Sequence, residues 1–392
     1  MPAALQDLKV LDLTRLLPGA FCTQLLADYG ADVLKIEQPG AGDYNRQFAP
    51  INKAESGSFL LLNRNKRSLT LNLKTPEGKA IFLRLAEEAD VIVEGFRPGV
   101  MKRLGLDYEI LERANPRLVY CAISGYGQDG PAAQASGHDL NYMAMTGALQ
   151  LFGTPATGPL VPGLSIADVG GGSLMAAFGI LAALQARATS GHGQFVDISM
   201  VDGLVSWLCY HAADYLFSGM EPRGGERPFI GGAPCYNVYR CRDGRHISLG
   251  IIEDHFWHRF CDLIERPDLK TRQWPDGDDA REQYALLSEK FAEATCDSWA
   301  RRLAAADIPA APVNSMAEAF DEPQLRHRQM LLHIDHPVEG RIPQLGFPIK
   351  FSASPGAMRS PPPQLGEHNA EILGALGYDE AALAGLKARE VI

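Results

Sequence analysis

The 392-residue sequence lacks a long hydrophobic run. Its longest apolar stretches, around 174–184 and 201–210, fall short of the roughly 20 residues of a membrane span and are expected to be buried helices. Clustered cysteine is missing too. The seven cysteines are scattered and odd in number, without a Cys-x-x-Cys pair. That excludes a disulfide scaffold and points to the reduced thiols of a cytoplasmic enzyme. Positive charge is in deficit: 37 Lys and Arg stand against 47 Asp and Glu, for a net charge of −10. Such a balance excludes a general nucleic-acid binder, but not a local basic site for a small anion. The first fifteen residues carry charges where a secretory segment needs an apolar run, so none is expected. The C-terminus, Glu390-Val391-Ile392, lacks the Ser-Lys-Leu peroxisomal signal. Internal repeats, a G-x-S-x-G elbow and a Walker A sequence are all missing. Leu17-Pro18-Gly19-Ala20 stands where a dinucleotide-binding G-x-G-x-x-G would have to sit. His255-x-x-His258 has helical spacing, but no third ligand follows at a recognisable interval, so no metal site is expected.

What is present is ample core material, with 46% apolar and 21% charged residues. Apolar runs predict strands over 9–14, 32–37, 68–73, 90–95, 118–124 and 194–199. Between them lie helical stretches over 20–29, 76–88, 108–113 and 170–188, followed by another over about 201–217. Thr75 and Pro76 supply an N-cap and a first-turn proline. This alternation predicts an α/β fold with a parallel, Rossmann-like sheet. Glycine, proline and arginine cluster at 219–234 like a linker. Strand-like runs over 236–250 flank Asp243-Gly244, a type I′ hairpin signal, and helical sequence continues to about 306. The proline-rich 337–363 reads as extended, and a last helix begins near Asn369. The expected domains are a large α/β domain over 1–200, completed by 340–392, and a small α+β domain over 225–330. Residues 201–224 and 331–339 are the expected linkers.

Three groups carry candidate chemistry. His138 lies in Gly137-His138-Asp139, a loop leading into an apolar helix. Asp168 precedes Gly170-Gly171-Gly172 and another apolar helix, as an N-cap would. Those glycines would let a ligand approach the backbone, and a helix start stabilises negative charge. Glu253 lies after a hairpin strand, where a helix-start acid is common. Basic residues also follow or flank strands, at Arg64, Arg67 and Arg97. Strand ends of an α/β sheet are where a phosphorylated ligand lies.

These motifs together resemble the family III CoA-transferase and α-methylacyl-CoA racemase superfamily. The resemblance rests on 25–32, Lys66-Arg67-Ser68, Phe96-Arg97-Pro98-Gly99, 124–131, 168–172, 191–194 and Leu365-Gly366-Glu367-His368, and it spans nearly the whole chain. It implies coenzyme A thioesters as substrates, with CoA part of the substrate and no further cofactor, and Arg97, Arg64 and Arg67 as phosphate contacts. It also implies an interlocked homodimer, in which the His–Asp pair and Glu253 come from different subunits. The aspartate matching Asp168 is a nucleophile in the transferases and an acid/base group in the racemases. The racemases add the histidine of Gly137-His138-Asp139, a supporting acid matching Glu253, and the backbone N–H of Asp139 as an oxyanion donor. The expectation is therefore a racemase. A CoA transferase forming an anhydride at Asp168 and a non-catalytic acyl-CoA binder are the alternatives. Inverting an α-carbon needs two bases on opposite faces of an enolate, each with a pKa near working pH. Histidine starts near 6.5, whereas aspartate starts near 3.9 and must be raised by desolvation or by a carboxylate such as Glu253.

Overall fold

The computed structural model describes residues 2–392. The chain forms two units, one from residues up to 145, 165–207 and 323–392, the other from 146–164 and 208–322.

The first unit is built on six strands: β1 (Lys9–Asp12), β2 (Asp32–Glu37), β3 (Lys66–Thr70), β4 (Val91–Glu94), β5 (Val119–Ser124) and β6 (Gln194–Ser199). All neighbours pair in parallel, in the order β3-β2-β1-β4-β5-β6. Both faces are covered, which explains the near-continuous apolar strands. On one face α1 (Leu16–Asp28) packs against β1, β2 and β4. The other face holds α2 (Pro76–Glu87) and α3 (Tyr108–Ala114). There Leu11, Leu34, Ile92 and Tyr120 alternate along their strands to meet Ile81, Phe82 and Leu111. The C-terminal helices Asn369–Ala375 and Glu380–Ala388 join that same cluster through Leu373 and Leu386. Strand order reverses between β1 and β4, and in such sheets the ligand crevice opens there, beyond the strand carboxyl ends.

Three further helices complete the site region: α4 (Asp139–Met145), α5 (Ala167–Ser190) and α6 (Met200–Trp207). The first turns of α5, Ala167–Leu174, are π-helical. At 24 residues, α5 is long and apolar enough to cross a membrane, contrary to the reading of its sequence. Its place is beside β5 and β6, with Ala176, Ile180 and Ala183 buried. Near its C-terminal end Arg187 pairs with Asp90 at 2.9 Å.

The second unit is α+β. Antiparallel β7 (Tyr236–Arg240), β8 (His246–Gly250) and β9 (Ala310–Pro312) pack with helices Asp254–Leu263, Gly277–Ala292 and Cys296–Ala305. Tyr239, Trp257, Phe260, Phe291 and Trp299 fill its core.

Several boundaries differ from expectation. The sequence over 201–224 is largely helical, in α6 and Cys209–Ser218, with α6 held in the first unit by contact with α5. Residues 331–339 are no linker either, since the strand Leu331–His336 pairs antiparallel with Gly340–Leu345. Segment 146–164, expected in the large domain, belongs to the second unit. At Asp243-Gly244 only Gly244 has positive φ (+80°), and its N–H donates to the Cys241 carbonyl at 2.9 Å. A type I′ turn needs two such residues, so this is a type I turn closed by a left-handed glycine.

Candidate active site

The crevice between β1 and β4 is shaped from below by buried charge. Asp12, at the end of β1, accepts from the Thr14 N–H (2.9 Å) and hydroxyl (2.6 Å). Lys35 donates to the Thr14 carbonyl at 2.9 Å and pairs with Asp43 at 2.9 Å. Asp43 in turn accepts the Leu16 N–H at 3.0 Å, holding Leu16 at φ +63°, a left-handed conformation costly for leucine. Burial pushes Asp12 up, but the ammonium groups of Lys35 and Lys66 outweigh it and hold the carboxyl at about 2. The result is a rigid bend that aims Arg15 outward between the Tyr44 and Phe96 rings, 5.1 and 5.2 Å from their centroids.

Beyond β4, the Phe96 N–H donates to Glu94 at 2.6 Å, which fixes the start of the Phe96-Arg97 loop. Burial pushes the Glu94 carboxyl up to about 7, against the Phe96 hydrogen bond and with help from the nearby Asp197. Arg97 projects into solvent and donates to the Ser136 hydroxyl at 2.7 Å.

Arg15, Arg97, Ser136, His138, Tyr142 and Asp168 line one cavity of about 320 Å³, with Met200 and the turns after β1 and β4 completing its wall. Next to it, a cavity of about 400 Å³ runs over the ends of β1, β2 and β3, lined by Gln38, Tyr44, Asn72 and Lys74 and sharing Arg15 and Phe96. His138 is exposed and precedes α4, its carbonyl accepting the Asn141 N–H at 2.8 Å. Asp168 lies inside the first turn of α5 and does not cap it. The capping carboxylate is Asp139, whose Oδ1 accepts the N–H groups of Ala167 (2.7 Å) and Asp168 (3.0 Å). Burial pushes Asp168 up to about 6; the Asp139 carboxylate adds to the rise and His138 opposes it. Within this chain burial is the larger cause, as the sequence required, and Asp139 is the carboxylate that adds to it.

The three glycines admit protein rather than ligand. A Cβ on Gly170 would meet the Trp207 ring at 2.6 Å, and one on Gly171 the Met200 carbonyl at 2.4 Å. They let α6 lie against α5 at backbone distance, which sets the wall behind Asp168.

Two predicted phosphate contacts are placed elsewhere. Arg64 is buried (1% exposed), bonded through Nε and Nη2 to Asp28 at 2.9 and 2.7 Å and stacked over Phe347. Arg67 is paired with Asp32 and Glu371, each at 2.7 Å, at the amino end of the sheet, away from the crevice. Glu253 belongs to the second unit, where it is exposed at the start of helix Asp254–Leu263; its carbonyl accepts the Phe256 and Trp257 N–H groups at 3.1 and 3.2 Å. Sequence reasoning missed Arg15, Glu94 and Tyr142. Arg15 follows a predicted strand just as Arg97 does, so the same rule would have found it. Glu94 and Tyr142 carry no local signal.

This arrangement provides two groups for proton transfer, an exposed imidazole and a raised carboxyl, with cations at the rim of the crevice. The chain is 34% identical to the human succinyl-CoA:glutarate CoA-transferase, over 99% of this chain and 90% of that protein. It is 35% identical to the human alpha-methylacyl-CoA racemase, over 99% and 97%. A CAIB/BAIF family protein from Brucella suis superposes with a TM-score of 0.84 at 34% identity, over 96% of this chain and 100% of that one. The family model for CoA-transferase family III matches residues 5–369, a span that takes in the sheet, the crevice and both acid/base candidates; this chain belongs to that family.

Proposed function

We propose that this chain is an α-methylacyl-CoA racemase, interconverting (2R)- and (2S)-2-methylacyl-CoA. Relatives named as transferases are 34–37% identical and the human racemase is 35% identical, so identity alone does not favour the racemase. The observation that carries the reading is local: His138 and Asp168 line one cavity, and Asp168 is raised to about 6. A group poised there exchanges protons near neutral pH, as a general acid/base must. One of the pair removes the α-proton, the electron pair delocalises onto the thioester oxygen, and the conjugate acid of the other returns a proton to the opposite face. The Asp139 N–H, at the start of α4, is the proposed donor to the enolate oxygen.

The CoA portion is proposed to follow the strand ends, with the nucleotide in the 400 Å³ cavity and the thioester in the 320 Å³ one. Arg97 and Arg15 are then the phosphate contacts, suited by their planar, paired donors. The reading includes the interlocked homodimer. Phe178 (73% exposed) and Phe217 (89%) are large apolar side chains that a second copy would cover. In that assembly the partner's Glu253 supports Asp168.

CoA transfer is the second reading, favoured by the transferase names among the relatives. There Asp168 attacks the thioester carbonyl, the CoA thiolate leaves, and an acyl-aspartyl anhydride forms. Incubating one enantiomer of a 2-methylacyl-CoA in deuterated water separates the two. Racemisation with deuterium at the α-carbon, without a second acid, is the expected result. CoA transfer to an added carboxylic acid with no α-deuteration, and a hydroxylamine-trapped acyl group on Asp168, would overturn it.

A further inference from the structure

We propose that the Asp139 carboxylate is a positioning residue that ties Asp168 to His138 and sets the charge balance at Asp168. Its Oδ1 accepts two consecutive N–H groups, from Ala167 at 2.7 Å and Asp168 at 3.0 Å. These belong to the opening of α5, where the N–H groups have no intrahelical acceptor. The residue at the N-cap is Ile166, whose side chain has no polar atom to offer. A carboxylate from elsewhere in the chain therefore does what an N-cap side chain usually does.

That carboxylate sits on the residue after His138, and the His138 backbone is itself fixed. Its N–H donates to the Asn141 side chain at 3.0 Å, and the Tyr142 hydroxyl donates to the Gly137 carbonyl at 2.6 Å. A Cβ on Gly137 would lie 2.6 Å from both the Tyr142 ring and the Tyr126 hydroxyl, so the backbone here packs directly against the two rings and admits no side chain. Asp139 thus joins two acid/base candidates, far apart in sequence, through one short covalent and hydrogen-bonded path. It also places a second negative charge beside Asp168. The groups facing Asp168 from 138–145 are His138, Asp139 and Tyr142. From α1 and α6 its helix meets Pro18, Met200 and Trp207, none of them charged. Burial is the largest cause of the rise at Asp168, Asp139 is the carboxylate that adds to it, and His138 is the group that opposes it.

The inference rests on the racemase reading for what Asp168 does, but its test does not. Asp139→Asn keeps the acceptor oxygen and removes the charge, whereas Asp139→Ala removes both. In full-length protein with ¹³C-carboxyl aspartate, the Asp168 resonance, identified by its loss in Asp168→Asn, is titrated by NMR in each variant. Asp139→Asn is expected to lower the Asp168 midpoint by about one pH unit, with the acid limb of α-proton exchange moving down equally. Asp139→Ala is expected to cut kcat by about a hundredfold, with the KM for acyl-CoA changed by no more than about twofold. An Asp168 midpoint unmoved in Asp139→Asn overturns the proposal, as does an Asp139→Ala enzyme as active as wild type. If Asp139→Ala fails to fold, the Asp139→Asn titration decides. If the wild type exchanges no α-proton, the racemase reading falls and the titration still decides the role of Asp139.

Discussion

Gly171 and Gly203 meet backbone to backbone across α5 and α6. A Cβ on Gly203 would lie 2.3 Å from the Gly171 carbonyl oxygen, and one on Gly171 would lie 2.4 Å from that of Met200. Neither backbone can yield without moving the turn that carries Asp168. Gly203→Ala is therefore expected to cost about 1–3 kcal/mol of stability and to reduce kcat further than substrate affinity. Denaturant unfolding and steady-state kinetics on the same variant check both halves. Wild-type stability in Gly203→Ala would show that the helices separate freely.

Asp168 links stability to pH. Its folded-state pKa is raised from 3.8 to about 6, so the folded state binds a proton more tightly than the unfolded chain. The stability this contributes is full below about pH 4 and lost as pH rises through about 6. Asp168→Asn, which cannot ionise, should be more stable than wild type by about 1–2 kcal/mol at pH 8, with the gain shrinking towards pH 4. Unfolding curves at the two pH values check it, and a gain confined to low pH would contradict the assignment.

Arg64 and Arg97, expected from sequence to share one task, should behave oppositely. Arg64→Ala strands the buried Asp28 carboxylate and is expected to cost about 3–5 kcal/mol of stability. Arg97 is exposed, so Arg97→Ala should leave stability within about 0.5 kcal/mol of wild type and raise the KM for acyl-CoA at least tenfold, about 1.4 kcal/mol. Thermal melts and a KM measurement on both variants suffice. An Arg64→Ala protein of normal stability with a raised KM would restore the expected role.

Sedimentation of the wild type should give twice the 42.6 kDa chain mass. Phe217→Asp, at an 89% exposed aromatic, should lower the yield of assembled dimer and the activity together. A stable, fully active monomer would remove the interlocked dimer and the partner's Glu253 from the mechanism.

What the sequence determined by itself was whatever is decided within a few residues. Strands Asp32–Glu37 and Gln194–Ser199 have their predicted bounds, and Thr75 accepts the Gly78 N–H as the predicted cap at 3.0 Å. Short-range propensity, capping and apolar runs suffice there, and together they imply the parallel sheet. Gly137-His138 and Asp168 were legible as motifs, and both line the cavity. Partner choice was decided only by the tertiary structure. Arg64 and Arg97 look alike in sequence, yet one is neutralised by Asp28 and the other faces the crevice. The strand Leu331–His336, expected to be linker, is stabilised by its pairing with Gly340–Leu345, which lies in the stretch whose proline content suggested only extended chain. Asp139 read as the residue whose N–H follows His138, and only folding brings its carboxylate to the start of α5. A charge's energy depends on what desolvates it and what lies within a few ångströms, and those neighbours come from distant parts of the chain.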